Sequence, residues 1–182
     1  DYSQLELRMA AYLADDKQLI NDFRNKVDIH TKRARQCFNL KDTDKIEKFQ
    51  RDTGKSSNFG NLFGAGADKL AEIINKGIMD AMLHGDLPDN TPLVSSEVAD
   101  RGRRGFFNDY PKIRTYIERM RMKLMKDKQA VTVFGHIRHL PMLQYGNEKH
   151  DIEAALREGV NQFIQGPASD ICQMAFKRIY YD

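Results

Sequence analysis

The sequence has 182 residues, 41% hydrophobic and 30% charged, enough to bury a core in one domain or in pieces of two. No run approaches the roughly 18 consecutive apolar residues that a spanning helix needs and no basic-then-apolar leader opens the chain, which argues against a membrane role. The 29 Lys and Arg against 26 Asp and Glu leave a formal charge of +3, which suits a polyanionic partner without selecting one, and the distant Cys37 and Cys172 make neither a disulfide framework nor the thiol pairs of a zinc site.

Along the chain, Leu5, Met9, Tyr12 and Leu13 recur at helical spacing after the polar opening Asp1-Tyr2-Ser3-Gln4, which predicts a short turn or strand end and then a helix. Asp28-Ile29-His30-Thr31 predicts the cap of a second helix through residue 38, and a third runs from about Thr43 to Phe59 or beyond. Residues 69–83 read as helical although Gly77 weakens them, and Gly85 to Asn90, with Pro88 and Pro92, reads as a loop. From Val98 the pattern is helical again until Pro111, after which Ile113, Ile117, Met120 and Leu124 form an apolar stripe. Val131-Thr132-Val133-Phe134 followed by Gly135 is the strand-and-turn candidate, and Gly135 and Pro141 bracket a loop carrying His136 and His139. Two helices, about 148–164 and 167–180, close the chain, with Pro167 in a first-turn position where its missing N–H costs nothing. The chain opens on Asp1 and stops within a helical pattern, so it reads as cut at both ends.

The richest chemical signal spans Arg51 to Gly64. Spacings of four place Arg51, Lys55, Phe59 and Phe63 on one slowly rotating face, drifting about 40° per step. At about 1.5 Å of rise per residue, Arg51 and Phe59 stand about 12 Å apart along the axis, a span that suits a nucleotide with its triphosphate on the cations and its base over the ring. Gly60 and Gly64 remove side chains where a base needs close approach. An amphipathic helix with solvated cations and two core phenylalanines accounts for the same spacing. Gly54-Lys55-Ser56 echoes a phosphate-binding loop, but that motif needs glycine where Phe49 stands. Asp1, as an acid at a strand end, suits Mg²⁺, and Glu6 lies one turn later. The histidines form no metal-ligand pattern, and no Ser, His and Asp grouping can be assembled.

These residues carry a resemblance. Asp1-Tyr2-Ser3-Gln4-Leu5-Glu6-Leu7-Arg8 resembles the first palm motif of the family A DNA polymerases, the family of bacterial DNA polymerase I and many phage replicases. Arg51, Lys55, Asn58-Phe59-Gly60 and Phe63-Gly64 are similar to that family's fingers helix, and Asn161 with Gln165-Gly166-Pro167-Ala168-Ser169-Asp170 resembles a third block. The resemblance implies a mainly α-helical fragment of an α/β polymerase, with fingers helices flanked by incomplete palm segments. Residues 1–24 would be the first palm segment, 25–128 the fingers with an insertion around 73–104, and 129–182 a palm-side strand, turn and helices.

The resemblance also implies roles. Asp1 would ligate two catalytic Mg²⁺ ions, assisted by the Tyr2 backbone carbonyl, and Tyr2 and Gln4 would belong to the nucleotide site. Glu6 would close the pocket at the sugar C2′ and exclude ribonucleotides. His30, Arg51 and Lys55 would grip the triphosphate, Arg51 and Lys55 acting in catalysis, while Phe59 would pack on the sugar and base with Phe63 near the template base. Asn161, Gln165 and Arg138 would touch primer-template DNA.

Two departures stand out: Phe63 replaces the tyrosine usual in the cellular enzymes, and Gly135-His136-Ile137-Arg138 keeps one cation where the family turn has three. The expected function is template-directed addition of deoxynucleoside triphosphates to a primer, in the cytoplasm of a bacterium or of a phage-infected host. The alternatives are a single-subunit RNA polymerase, against which Glu6 argues, and a catalytically inactive nucleic-acid-binding module. The family's His-Asp-Glu motif is expected after residue 182, so the piece alone is expected to be inactive.

Overall fold

The computed structural model describes residues 4–181. In chain order they form α1 (Leu5–Leu13), α2 (Lys17–Arg24), α3 (Ile29–Phe38), α4 (Lys48–Leu62), α5 (Ala67–Leu83), α6 (Ser96–Asp109), α7 (Pro111–Asp127), β1 (Gln129–Val131), β2 (Ile137–His139), α8 (Met142–Tyr145) and α9 (Lys149–Tyr181). The chain divides into two compact units, one of residues 17–111 and one of residues 1–16 with 112–182. Among the described residues no helix is long and apolar enough to cross a membrane.

In the unit of residues 17–111, α3 and α4 pack side by side with α6 and α5 against them. Asp28 starts α3 by accepting from the backbone N–H groups of His30 and Thr31, and Asn39 ends it in the left-handed conformation at φ 53°. The third helix begins at Lys48, later than the expected Thr43, because the Glu47 N–H is taken by the Gln50 side chain at 3.0 Å and residues 43–47 stay outside the helix. Sequence spacing assigns no element to residues 17–24, yet α2 forms there and buries Leu19 and Asp22. Gly54 lets α3 and α4 meet backbone to backbone: a Cβ there would lie 2.3 Å from the His30 carbonyl oxygen. Leu70, Ala71, Ile74 and Ile78 of α5 close a core with Val94 and Ala99.

In the other unit, α9 carries α1, α8 and β1. The expected strand at 131–134 is displaced. β1 ends at Val131 and pairs antiparallel with β2, Ala130 opposite Arg138. Thr132 to Gly135 make the turn instead, closed by the Gly135 N–H on the Thr132 carbonyl at 3.0 Å with Gly135 at φ 86°. The stretch from His136 to His139 is therefore mostly strand rather than loop. The two expected C-terminal helices are one helix of 33 residues, with Pro167 inside it. Phe163, Ile164, Pro167 and Ala168 are all buried, so packing on both sides of the proline carries the helix across a site that costs an unpacked helix about 3 kcal/mol.

Candidate functional site

Helix α4 has two unlike faces. Thr53, Gly54, Ser57, Asn58, Gly60 and Asn61 are buried, whereas Arg51 and Lys55 are exposed and Phe59 and Phe63 are partly exposed. The reading of these rings as core phenylalanines is thereby corrected. Their centroids lie 6.3 Å apart with planes 29° from parallel, and the His30 ring stands 6.1 Å from Phe59. One helix face thus displays two cations and then two rings.

Arg51 is not freely solvated. Its Nε donates to Asp28 at 3.0 Å, on the same carboxylate that caps α3. Burial pushes the Asp28 carboxyl up, but the Thr31 and Arg51 hydrogen bonds outweigh it and hold it below the usual carboxylate range. His30 is buried in the first turn of α3, and its pKa is lowered by burial, with Arg51 and Lys55 pushing the same way against Asp28 and Asp52. Its ring is therefore neutral near pH 7.

Behind His30 lies a set of buried polar side chains. Asn58 contacts His30 Nδ1 at 3.1 Å, donates to the Ile29 carbonyl at 3.2 Å and accepts from Arg33 Nε at 3.1 Å. Arg33 is fully buried, pairs with Asp109 at 3.3 Å, hydrogen-bonds Gln36, and lies over the Phe106 ring at 5.2 Å. Asp109 also meets Lys32 at 3.4 Å, and Lys32 meets Asp22 at 3.0 Å, which accepts from the Tyr110 hydroxyl at 2.7 Å. The buried Arg33 and Asp22 are thus each paired with a partly exposed opposite charge, Asp109 and Lys32, as buried charges require.

In the unit of residues 1–16 with 112–182, Glu6 sits half-buried in the first turn of α1, where burial pushes its carboxyl up. Gln4 precedes that helix with φ 56°. Arg138 leaves β2 to pair with Glu158 and to approach Gln162 at 3.4 Å, both on α9. Asn161 has a buried Oδ1 with no hydrogen-bond partner, and Gln165 one turn later is exposed. Asp170, also buried, meets His136 Nδ1 at 2.9 Å and so ties the hairpin turn to α9. Asp1 and Tyr2 lie outside the described residues. Among those described, no group of three or more His, Cys, Asp or Glu is placed to hold a metal ion.

The model of DNA polymerase family A matches residues 1–182. The chain belongs to DNA polymerase family A. It is 30% identical over 179 residues to DNA polymerase I of Helicobacter pylori strain 26695, covering 98% of this chain and 17% of that protein. It is 32% identical over 180 residues to the thermostable DNA polymerase I of Thermus thermophilus, covering 99% of this chain and 19% of that one. The POL domain of Pol1 from M. smegmatis, solved in complex with DNA primer-template and dNTP, superposes with a TM-score of 0.73 at 29% identity, over 96% of this chain and 27% of that one. This family A chain thus spans under a fifth of the length of those polymerase I relatives, and its fold is a mainly helical palm-and-fingers region with a small sheet.

The sequence signal overlooked in the family A chain is Arg33. It falls four residues after Ile29 and four before Cys37, on the stripe that α3 buries. A charged residue in that register calls for a buried counter-charge, and the fold alone supplies it as Asp109, 76 residues away.

Proposed function

We propose that this chain supplies the nucleotide-binding and metal-binding part of a template-directed DNA polymerase, which adds deoxynucleotides to a primer 3′-hydroxyl and releases pyrophosphate. The observation that carries this reading is the exposed face of α4, where Arg51 and Lys55 precede Phe59 and Phe63 in a chain of this family. A triphosphate is a polyanion, and guanidinium and ammonium groups hold it through charge-assisted hydrogen bonds. A base and sugar need an apolar platform, which the two rings offer. His30 adds a neutral donor beside the cations.

In the reaction the primer 3′-oxygen attacks the α-phosphorus, the bond from that phosphorus to the α–β bridging oxygen breaks, and the hydroxyl proton is lost as pyrophosphate leaves. Arg51 and Lys55 bind the phosphates that depart and offset the charge building on them. Mg²⁺ is a hard cation that takes oxygen ligands, and the Asp1 carboxylate and Tyr2 carbonyl are donors of that kind. Two such ions, when bound, activate the attacking hydroxyl and stabilise the leaving group. Glu6 borders the sugar at C2′. Asn161, Gln165 and Arg138 meet the primer-template, Arg138 by exchanging its Glu158 partner for a phosphate. The reaction takes place in the cytoplasm, where the DNA is.

Primer extension by the whole protein with Mg²⁺ tests this. Incorporation of the deoxynucleotide complementary to the template, abolished in the Arg51→Ala, Lys55→Ala double variant, is the expected result. No incorporation, or incorporation indifferent to the template base, would overturn it.

A further inference from the structure

We infer that Asn58 and Arg33 are positioning residues that hold His30 in one tautomer, with its proton on Nε2, so that a neutral N–H is directed to the triphosphate. The inference rests on the nucleotide reading of the α4 face.

Three contacts leave the Asn58 amide no freedom. Arg33 has only donors, so its Nε, 3.1 Å away, requires the Asn58 oxygen on that side. The Ile29 carbonyl only accepts, so at 3.2 Å it requires the Asn58 NH2 group. That same nitrogen lies 3.1 Å from His30 Nδ1 and can only donate to it. Nδ1 must then be the bare acceptor, and the single proton of a neutral imidazole resides on Nε2.

Protonating the ring would put an Nδ1–H against an N–H of Asn58, two donors face to face in a buried site, so the network also resists the imidazolium form. Arg33 is fixed in turn by Asp109 at 3.3 Å and by the Phe106 ring, and it cannot rotate away to let the amide flip. The lowered pKa of His30 agrees with this geometry. His30 therefore orients a phosphate oxygen without adding a third fixed charge to Arg51 and Lys55. Asn58 and Arg33 act through it, since neither is exposed on the α4 face that displays the cations and rings.

Long-range ¹H–¹⁵N correlation of the 182-residue chain labelled with [¹⁵N]histidine reads the tautomer directly, with His30 assigned by its loss in His30→Gln. The expected wild-type pattern near neutral pH is a bare Nδ1 and a protonated Nε2. Asn58→Asp keeps the shape but turns the donor into a carboxylate oxygen. It should move the proton to Nδ1 or protonate the ring, and raise the His30 titration midpoint by about one unit or more. A wild-type ring with its proton on Nδ1, or an even mixture, overturns the inference, as does an Asn58→Asp ring unchanged in tautomer and midpoint. If that variant does not fold, the wild-type spectrum decides alone. Adding dTTP with Mg²⁺ separates the two readings. A shift of the Nε2 resonance supports both, while the stated tautomer with Nε2 unmoved leaves the tautomer assignment standing and overturns the claim that its N–H meets the triphosphate.

Discussion

Replacing Gly54 by alanine adds one methyl group where α3 and α4 touch. The new carbon would lie 2.3 Å from the His30 carbonyl oxygen and 2.7 Å from the Ala34 nitrogen, both backbone atoms that no rotamer can move. Restoring an ordinary contact near 3.5 Å requires the helices to part by about 1 Å. A retreat of that size carries the Asn58 contacts to His30 and Ile29, now 3.1 and 3.2 Å, beyond hydrogen-bonding reach. Overpacking costs about 1–3 kcal/mol and each lost buried hydrogen bond about 1 kcal/mol, against which alanine gains about 1 kcal/mol in helix propensity. The net expectation is a loss of about 2–4 kcal/mol, read as a lower urea midpoint by circular dichroism. Gly77→Ala is the control: nothing lies within 4 Å of its added carbon, so the same substitution in α5 should stabilise by up to about 1 kcal/mol. If Gly54→Ala proved as stable as Gly77→Ala, the close approach of α3 and α4 would be refuted, and with it the Asn58 contacts to His30 and Ile29.

Asp109→Ala strands the buried Arg33 charge and should cost about 3–5 kcal/mol in the same urea assay, far more than removal of the exposed Lys69–Glu72 pair. Lys55→Ala in the whole protein should lower the steady-state rate of nucleotide incorporation about 10- to 150-fold while primer-template binding, measured by fluorescence anisotropy, is retained. For sugar selection, competition between ribo-, deoxy- and dideoxynucleotides should show Glu6→Ala admitting ribonucleotides and Phe59→Tyr admitting dideoxynucleotides, each without the other's effect. The pH dependence follows from His30, whose burial puts its folded pKa below the unfolded value of 6.5. On acidification the unfolded chain takes up this proton first, so the contribution is complete above pH 6.5 and is lost as pH falls from there through the folded pKa. Urea midpoints across that window should decline in wild type and flatten in His30→Gln.

The local arrangement of the candidate site on α3 and α4 was legible in the sequence because it is set within single helices. The four-residue spacing of Arg51, Lys55, Phe59 and Phe63 commits them to one side of any helix that forms there, and Asp28 ahead of Thr31 is a cap wherever α3 begins. The opening Asp1-Tyr2-Ser3-Gln4-Leu5-Glu6 pointed to the family before any fold was known. Spacing left open which side of α4 faces outward, and only the packing of Gly54 and Asn58 against α3 decided that the rings escape the core. The partners of the charged groups were equally hidden: Asp28 is 23 residues from Arg51, Asp109 is 76 from Arg33, and Glu158 is 20 from Arg138. The hairpin register and the passage of α9 through Pro167 depended likewise on what lay alongside. Helix periodicity and capping arise between residues one turn apart and survive in the sequence as spacing. An ion pair, a strand register or a buried amide is set by groups brought together only when the chain has folded, and no spacing along the chain encodes which partner will arrive.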